Sequence, residues 1–330
     1  MATKLPTKFW IYLILGISVF LLIRSYWRHT HPFYQDEAYF KKTLNTLLRP
    51  RSPGTPGHSY VREFLLLELK HLGFVTSRRE FIDTIAYTNV VGVMNAEAKR
   101  FLLASCHYDS KVLPTGDNYV SATDGGVPCA MLLNMAKSLE PYLRNDFLDR
   151  PDIGLVLVFF DGHESMDIED ETNSLNGSRR FTDVETIPLN SIEVAIAINL
   201  IGAPDAIYMA HYENTYKLHE RLADIEEELR SAGQLSKCHK LFHKLKDYNA
   251  DIEDDHYSFF AESVPVLHLI PHTFPAVSHT EKDNLKNLHW PTVQNMNAIF
   301  TTFVYDYLKK HVHPISFGEE SAEYESLQIP

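Results

Sequence analysis

The sequence is short of basic residues. It has 31 lysines and arginines against 43 aspartates and glutamates, which gives a formal net charge of −12. Because binding to a phosphate backbone requires a basic face, this balance argues against a nucleic acid as partner. We interpret the charge as a determinant of solubility.

Cysteine is also scarce: the chain has three, Cys106, Cys129 and Cys238. In an oxidising compartment one pair can form a disulfide and leave one thiol over, and the count does not say which pair. Asn176-Gly177-Ser178 is an N-glycosylation sequon, a short pattern that often arises by chance.

Internal repeats, low-complexity segments and a domain boundary after residue 58 are absent as well. The local zinc-peptidase signature H-E-x-x-H does not occur. The 45% hydrophobic content is ample for a core. We therefore expect one large domain over residues 38–314, a connector with helical stretches over 28–58, and an acidic tail over 315–330.

The N-terminus carries an uncharged apolar run, Phe9 to Ile23. A bilayer span usually takes about 20 residues, and interfacial Tyr26 and Trp27 extend the run to 9–27. Small residues of a signal-peptidase site do not follow it. We predict a tail over 1–8 and an uncleaved transmembrane signal-anchor over 9–27, with the domain in the lumen of the Golgi or another secretory-pathway membrane. Cleavage of the run would instead give a secreted protein.

Beyond residue 58, apolar runs typical of buried strands alternate with helical patterns. Strands are predicted over 74–82, 89–94, 101–105, 153–160, 192–200, 206–210 and 264–270, the last as an inner strand; helices are predicted over 60–72, 128–143, 216–232 and 291–311. Continuously apolar strands between helices indicate a three-layer α/β fold. Its central sheet should be mixed and mainly parallel, with helices on both faces.

Polar side chains follow several of these strands. His163 and Glu164 come directly after the run 153–160, at the turn Asp161-Gly162. Functional residues in open α/β sheets gather at the carboxyl edge of the strands. The stretch is therefore a candidate metal or acid–base site, or else a solvated turn.

Further donors stand at or beyond other strand ends: His107, Asp109, Asp124, Asn199, Asp254, Asp255, His256 and His279. Aspartate, glutamate and histidine arriving from separate elements can assemble a catalytic zinc site with three protein ligands. A lone histidine, however, is more often an ordinary surface or core residue. The residues alone indicate only a metallohydrolase-like α/β enzyme.

Longer strings carry a resemblance. Cys106-His107-Tyr108-Asp109-Ser110-Lys111, Ala122-Thr123-Asp124 and Val264-Pro265-Val266-Leu267-His268-Leu269-Ile270-Pro271 resemble the animal glutaminyl-peptide cyclotransferases (glutaminyl cyclases). The likeness runs collinearly from about residue 38 to 311, and the N-terminus is similar to the Golgi-resident branch. The resemblance implies the zinc aminopeptidase-like fold. It also implies conversion of the N-terminal Gln of peptides and proteins to pyroglutamate, with release of ammonia.

The resemblance also implies roles for individual residues. One zinc ion per chain would be held by Asp124, Glu164 and His279, and Cys106 would pair with Cys129. Asp254 would handle a proton. The substrate pocket would include Ile252, His268 and Phe274.

Three positions depart from the family pattern, and all three concern the chemistry. His163 stands where the family has its catalytic glutamate, Asn199 where it has an aspartate, and Ser278 where it has a tryptophan. A second pocket tryptophan has no counterpart in Asp167-Ile168-Glu169, where the alignment is loose. His163 can act as a base near neutral pH or bind the metal and block substrate. Three hypotheses follow: a working cyclotransferase, a catalytically silent zinc-binding member that binds peptides or a partner, and, less favoured, an aminopeptidase.

Overall fold

The computed structural model describes residues 7–30, 36–83, 85–114, 118–166 and 173–310. The predicted tails over 1–8 and 315–330 lie wholly or largely outside these residues, and Asp167-Ile168-Glu169 lies entirely outside them. The N-terminal helix α1 spans Thr7–Thr30. Across the described part of the chain, no helix combines the length and apolarity needed to cross a membrane, so the structure does not show the transmembrane anchor predicted over 9–27.

Eight strands and seven further helices follow in the described residues. The strands are β1 (Val75–Ile82), β2 (Ala86–Met94), β3 (Arg100–His107), β4 (Ile153–Phe160), β5 (Ile192–Ile198), β6 (Tyr208–Ala210), β7 (Phe242–Lys246) and β8 (Val266–Leu269). The helices are α2 (Glu37–Leu47), α3 (Pro56–His71), α4 (Val127–Tyr142), α5 (Asn176–Asp183), α6 (Tyr216–Ser231), α7 (His256–Ala261) and α8 (Trp290–Lys310).

The main sheet has six strands in the order β1-β2-β4-β3-β5-β8. β1, β2 and β4 pair antiparallel, whereas β4, β3, β5 and β8 run parallel to one another. This is the mixed α/β sheet that the apolar runs predicted. The carboxyl ends of the parallel strands β3, β4, β5 and β8 therefore lie along the same side of the sheet, its carboxyl edge.

Two hydrophobic clusters cover the two faces of the sheet. Along β4, Leu155, Leu157 and Phe159 belong to one cluster, and Val156, Val158 and Phe160 belong to the other. This division follows from the two-residue period of a strand. Residues of α2, α3, α4, α6 and α8 join the larger cluster, and residues of α5 and α7 join the smaller one. The helices thus form layers on both faces, as expected.

The predicted elements differ from the observed ones in three respects. The strand predicted over 264–270 as an inner strand lies at the edge of the sheet, and that prediction was wrong. All four residues of β8, including His268, are nevertheless buried, as the residues of an inner strand usually are. The strand predicted over 206–210 pairs with β7 in a separate two-stranded sheet, and β7, α5 and α7 were not predicted.

The segment predicted as a connector contributes to the core. Phe40, Leu44 and Leu47 on α2 are buried in the larger cluster. Asp36 caps this helix by accepting a hydrogen bond from the backbone N–H of Tyr39 at 2.9 Å. α2 packs against α4, the helix that follows the first candidate ligand, Asp124.

Candidate metal centre

Three donor side chains predicted from separate elements come together at the carboxyl edge of the sheet. His279 Nε2 lies 3.2 Å from Asp124 Oδ2 and 3.3 Å from Glu164 Oε1. One ligand atom from each of the three lies within 4.8 Å of the others. Asp124 and Glu164 are buried, whereas His279 is 45% exposed. The two carboxylates of the group are therefore buried, and the group is open to solvent on the side of His279.

The geometry of this group fits a small divalent cation. Tetrahedral zinc has metal–ligand distances of about 2.0–2.1 Å, which places the ligand atoms about 3.3 Å apart. The two distances to His279 match that spacing. Glu164 Oε1 is buried, and apart from His279 Nε2 at 3.3 Å it has no hydrogen-bond partner among the described residues. Because buried polar atoms are normally satisfied, this oxygen is placed as a metal ligand would be.

The backbone around the three donors is constrained. Ser121, Leu200 and His279 have φ angles of 48°, 57° and 54°, which non-glycine residues rarely adopt. Gly125, next to Asp124, has φ 88°, and a Cβ there would lie 2.6 Å from the carbonyl oxygen of His107. Strained residues gather where the surrounding structure over-determines them, commonly at functional sites. Here they lie at or beside the positions that carry the donors.

Arg51 supports the loop that presents Asp124. Its side chain is buried, and it donates hydrogen bonds to the carbonyl oxygens of Tyr108 at 2.6 Å, Ser121 at 3.0 Å and Asp124 at 3.3 Å. A further bond goes to the carbonyl of Val120. Burial lowers the pKa of Arg51, although nearby acidic groups including Asp124 act in the opposite direction. One guanidinium thus fixes four carbonyls beneath the candidate site.

Asp283 holds the same loop from the other side. It accepts the backbone N–H of Thr123 at 2.8 Å and of Asp124 at 3.3 Å. Burial raises the pKa of Asp283 to about 6. Tyr119 donates its hydroxyl hydrogen to Asp124 Oδ2 at 3.0 Å. Asp124 is therefore held through its backbone and its side chain.

Glu164 is positioned by the turn that ends β4. Asp109 Oδ2 accepts the backbone N–H of Glu164 at 3.0 Å. Gly162 in the turn has φ 69°, and a Cβ there would lie 2.7 Å from the ring of Tyr87. Lys111 Nζ lies 3.8 Å from Glu164 Oε2. The turn therefore needs glycine, and the carboxylate faces a lysine on one side and His279 on the other.

Asp161 in this turn has a structural part. It is buried and accepts hydrogen bonds from His58 Nε2 at 2.8 Å, from the backbone N–H of Thr88 at 2.6 Å and from the hydroxyl of Tyr108 at 3.1 Å. Burial raises the pKa of Asp161 above its usual value. Its contacts join α3, β2 and β3 to the end of β4.

His163 does not join the group of three. Its Nδ1 lies 3.0 Å from Asp255 Oδ2 and 3.6 Å from Asp254 Oδ1, and its ring stacks on that of His107 at 3.9 Å between centroids. Burial and the neighbouring His107 lower the pKa of His163, but Asp255 and Asp254 outweigh both and raise it to about 9. The imidazole is thus oriented by two carboxylates from the segment that leads into α7.

Asn199 lies beside the group, on the far side of His107. Its Oδ1 accepts the backbone N–H of Leu200 at 2.7 Å and lies 3.3 Å from His107 Nε2. The same His107 nitrogen lies 3.1 Å from Asp124 Oδ1. Burial lowers the pKa of His107, but hydrogen bonds to Asp109 and Asp124 outweigh it and raise the pKa well above its usual value. Asn199 is thus engaged with the backbone and with His107.

The predicted pocket residues differ in exposure. Phe274 is 51% exposed, Ile252 and Ser278 are half-buried, and His268 is buried. His268 Nε2 lies 2.7 Å from Asp254 Oδ2. Burial raises the pKa of Asp254, but hydrogen bonding to His268 outweighs it and lowers the pKa far below its usual value. The structure thus joins His163, Asp254 and His268 in one line of contacts.

Cys106 and Cys129 form the disulfide that the resemblance implied, with 5.8 Å between their Cα atoms. Cys238 is free and half-buried. The bridge joins the end of β3 to α4, so it ties together the two elements on either side of Asp124.

Sequence reasoning missed several residues that shape the centre. Arg51, His58, Tyr119 and Asp283 were not singled out. Arg51 and His58 lie before the first strand, where no strand-end pattern marks them. Their function depends on tertiary contacts that no local spacing reveals.

The comparisons with known proteins agree with this geometry. A family model described as Peptidase family M28 matches residues 89–304, which places the chain in that class. Glutaminyl-peptide cyclotransferase of Bos taurus is 35% identical over 294 residues, covering 82% of this chain and 81% of the relative. The same-named protein of Drosophila melanogaster is 33% identical over 291 residues, covering 83% of this chain and 81% of the relative.

A solved structure shows the same architecture. The crystal structure of Macrostomum lignano glutaminyl cyclase superimposes with a TM-score of 0.76 at 27% sequence identity, covering 87% of this chain and 92% of that one. The chain belongs to Peptidase family M28 and, within it, to the glutaminyl-peptide cyclotransferases.

Proposed function

We propose that the chain is a glutaminyl-peptide cyclotransferase that converts the N-terminal Gln of peptides or proteins to pyroglutamate and releases ammonia. The names of its relatives support this activity. The observation that carries the proposal is the convergence of Asp124, Glu164 and His279 at zinc-ligand spacing beside the His163–Asp254 contact.

The donor set suits one zinc ion per chain. Two carboxylates and an imidazole would supply the three protein ligands that a catalytic zinc site has. Asp124, Glu164 and His279 would hold the ion. Polarisation of the side-chain amide carbonyl of the substrate Gln is the chemistry that a zinc ion supplies there.

The proton transfers fall to His163. The α-amine of the peptide attacks the carbonyl carbon of its own Gln side chain and closes a five-membered lactam. Because Nδ1 of His163 is engaged with Asp255, its Nε2 is the ring nitrogen left to accept the amine proton and return it to the departing ammonia. It can accept a proton only when the ring is neutral, and since Asp255 and Asp254 raise its pKa to about 9, turnover should increase as the pH rises toward that value. Asp254 and Asp255 hold the ring in place during both transfers.

A catalytically silent zinc-binding member is the second candidate. It is favoured by His163, which stands where the family has a carboxylate, and by Ser278, which stands where it has an aromatic wall. In that case the chain would bind peptide N-termini or a partner without turnover. An aminopeptidase is less favoured, because Asn199 supplies no carboxylate near His107 for a second metal ion.

A turnover assay separates these candidates. Purified protein loaded with Zn²⁺ is incubated with a fluorogenic N-terminal Gln substrate between about pH 5 and 10, a range that includes the ordinary titration of histidine and the raised pKa of His163, about 9. The cyclotransferase gives pyroglutamate and ammonia, the silent member gives neither, and an aminopeptidase releases free N-terminal residues. His163→Glu is the matched variant, and a gain of activity would identify His163 as the cause of low turnover.

We further propose that the chain works in the secretory pathway. The Cys106–Cys129 disulfide supports an oxidising compartment. Membrane attachment through residues 9–27, with the domain in the Golgi lumen, stays a prediction. Fractionation of cells expressing the full chain tests it: a carbonate-resistant membrane fraction supports the anchor, release into the medium supports secretion, and a cytosolic protein with reduced cysteines contradicts both.

A further inference from the structure

Behind Asp254 lies a group of buried imidazoles that the proposed chemistry does not use. His268 contacts Asp254, and His211 and His256 contact His268. His256 stacks on His268 at 3.8 Å between centroids, and its Nε2 lies 2.6 Å from the hydroxyl of Tyr212. All three imidazoles are buried. Their hydrogen positions decide what charge faces Asp254.

The contact with Asp254 fixes one hydrogen on His268. An ionised carboxylate only accepts hydrogen bonds, so at 2.7 Å the Nε2 of His268 must carry the hydrogen that Asp254 accepts. In the neutral ring Nδ1 is then an acceptor. Its neighbour is Nδ1 of His211, at 3.4 Å.

The burial of His211 assigns the other hydrogen. Among the residues that the structure describes, Nε2 of His211 is buried and has no hydrogen-bond partner. If His211 Nδ1 donates to His268, this Nε2 is a lone pair; if Nδ1 accepts, Nε2 carries a buried hydrogen with no acceptor. A buried N–H without an acceptor is the rarer and costlier arrangement. Burial also lowers the pKa of His211 to about 4, with His268 acting in the same direction, so the ring is neutral. His211 therefore donates.

We infer that His211 is a positioning residue of the proposed cyclotransferase: its Nδ1–H donates to His268 and holds that ring in the neutral Nε2–H form. This inference rests on the proposed function for its catalytic consequence. With a neutral His268, Asp254 keeps its full negative charge toward His163. A protonated His268 would neutralise that charge and weaken the interaction of Asp254 with His163.

The surroundings of His211 come from several elements. His268 lies on β8, His219 on α6, His272 after β8 and Asp247 after β7. Asp247 is the carboxylate among them, and it is ion-paired with His272 at 3.4 Å. These groups leave His268 as the hydrogen-bond partner of His211.

The test compares two substitutions of one residue. His211→Asn keeps a side-chain N–H near the position of Nδ1, whereas His211→Phe keeps a ring and removes the donor. The Nδ1 and Nε2 resonances of His268 are read in long-range ¹H–¹⁵N spectra of histidine-labelled protein and assigned by their loss in His268→Asn. We expect the neutral Nε2–H pattern in the wild type and His211→Asn, and its loss in His211→Phe. His219→Phe, which removes another buried imidazole, should leave the pattern unchanged.

Kinetics give the second readout. His211→Phe should lower kcat about tenfold and leave KM nearly unchanged, because a tenfold loss is the size expected for one buried hydrogen bond. His211→Asn, which keeps the donor, should retain most of the wild-type kcat. An unchanged His268 pattern in His211→Phe would overturn the inference. So would equal kcat in the wild type and His211→Phe. If the wild type itself turns over no Gln substrate, the proposed function fails, while the spectra still decide the hydrogen-bond assignment.

Discussion

Arg51 offers the sharpest test of how the candidate centre is held. The guanidinium is buried, and its hydrogen bonds go to the carbonyl oxygens of Tyr108, Val120, Ser121 and Asp124. Arg51→Met fills a similar volume and removes every donor. Two of the four carbonyls keep another donor, because the backbone N–H of Gly126 donates to the carbonyl of Ser121 at 3.1 Å and the hydroxyl of Ser121 donates to the carbonyl of Asp124.

The magnitude follows from the carbonyls of Tyr108 and Val120, for which Arg51 is the donor. A buried acceptor left without a partner costs about 1–3 kcal/mol. Partial relaxation and water entry reduce the sum for the two, so we expect the free energy of unfolding to fall by about 2 kcal/mol or more. Arg51→Lys keeps the charge but cannot reach all four carbonyls. Its free energy of unfolding should lie between those of the wild type and Arg51→Met.

Urea denaturation of the metal-free protein, followed by circular dichroism, measures this change. Arg62→Met is the matched control, because Arg62 is partly exposed and its ion pair with Glu63 is 3.4 Å long. That variant should change the free energy of unfolding by less than about 0.5 kcal/mol. A loss below about 1 kcal/mol in Arg51→Met would refute the reasoning, since two buried carbonyls without a donor should together cost more than that.

Two further predictions concern the disulfide and the metal. Cys129→Ser should lower the free energy of unfolding by about 3 kcal/mol, because the bridge closes a loop with a sequence separation of 23; Cys238→Ser, at the free cysteine, should change it little, and equal effects would contradict the account. Chelation should lower the melting temperature, and Zn²⁺ at about 1,000 times its Kd should restore about 4 kcal/mol. Glu164→Gln should abolish that restoration, and a full response in this variant would exclude Glu164 as a ligand.

Much of the fold could be predicted from local pattern. β4 is continuously apolar, and β3 and β5 are apolar over most of their length, a pattern typical of strands covered on both faces. β8 is also fully buried although it includes His268 and lies at the edge, because burial and position within the sheet are separate properties. β7 has the sequence FHKLK and is mostly exposed. It has no apolar run from which a strand could be predicted.

The donors of the site could be predicted, but their supports could not. Asp124, Glu164 and His279 stand at or beyond predicted strand ends, and the structure brings them together. The orientation of His163 depends on Asp255, which is distant along the chain and contributes through one contact of 3.0 Å. Arg51 and His211 act in the same way, since each is placed by tertiary packing alone.

Mass spectrometry of a peptide with N-terminal Gln, incubated with the zinc-loaded protein, tests the central claim most directly. We predict conversion to the cyclised peptide, shown by the loss of one ammonia, and its absence after chelation or with Glu164→Gln. An unmodified peptide at every pH at which a histidine base titrates would contradict the proposed activity and favour a zinc-binding member without turnover.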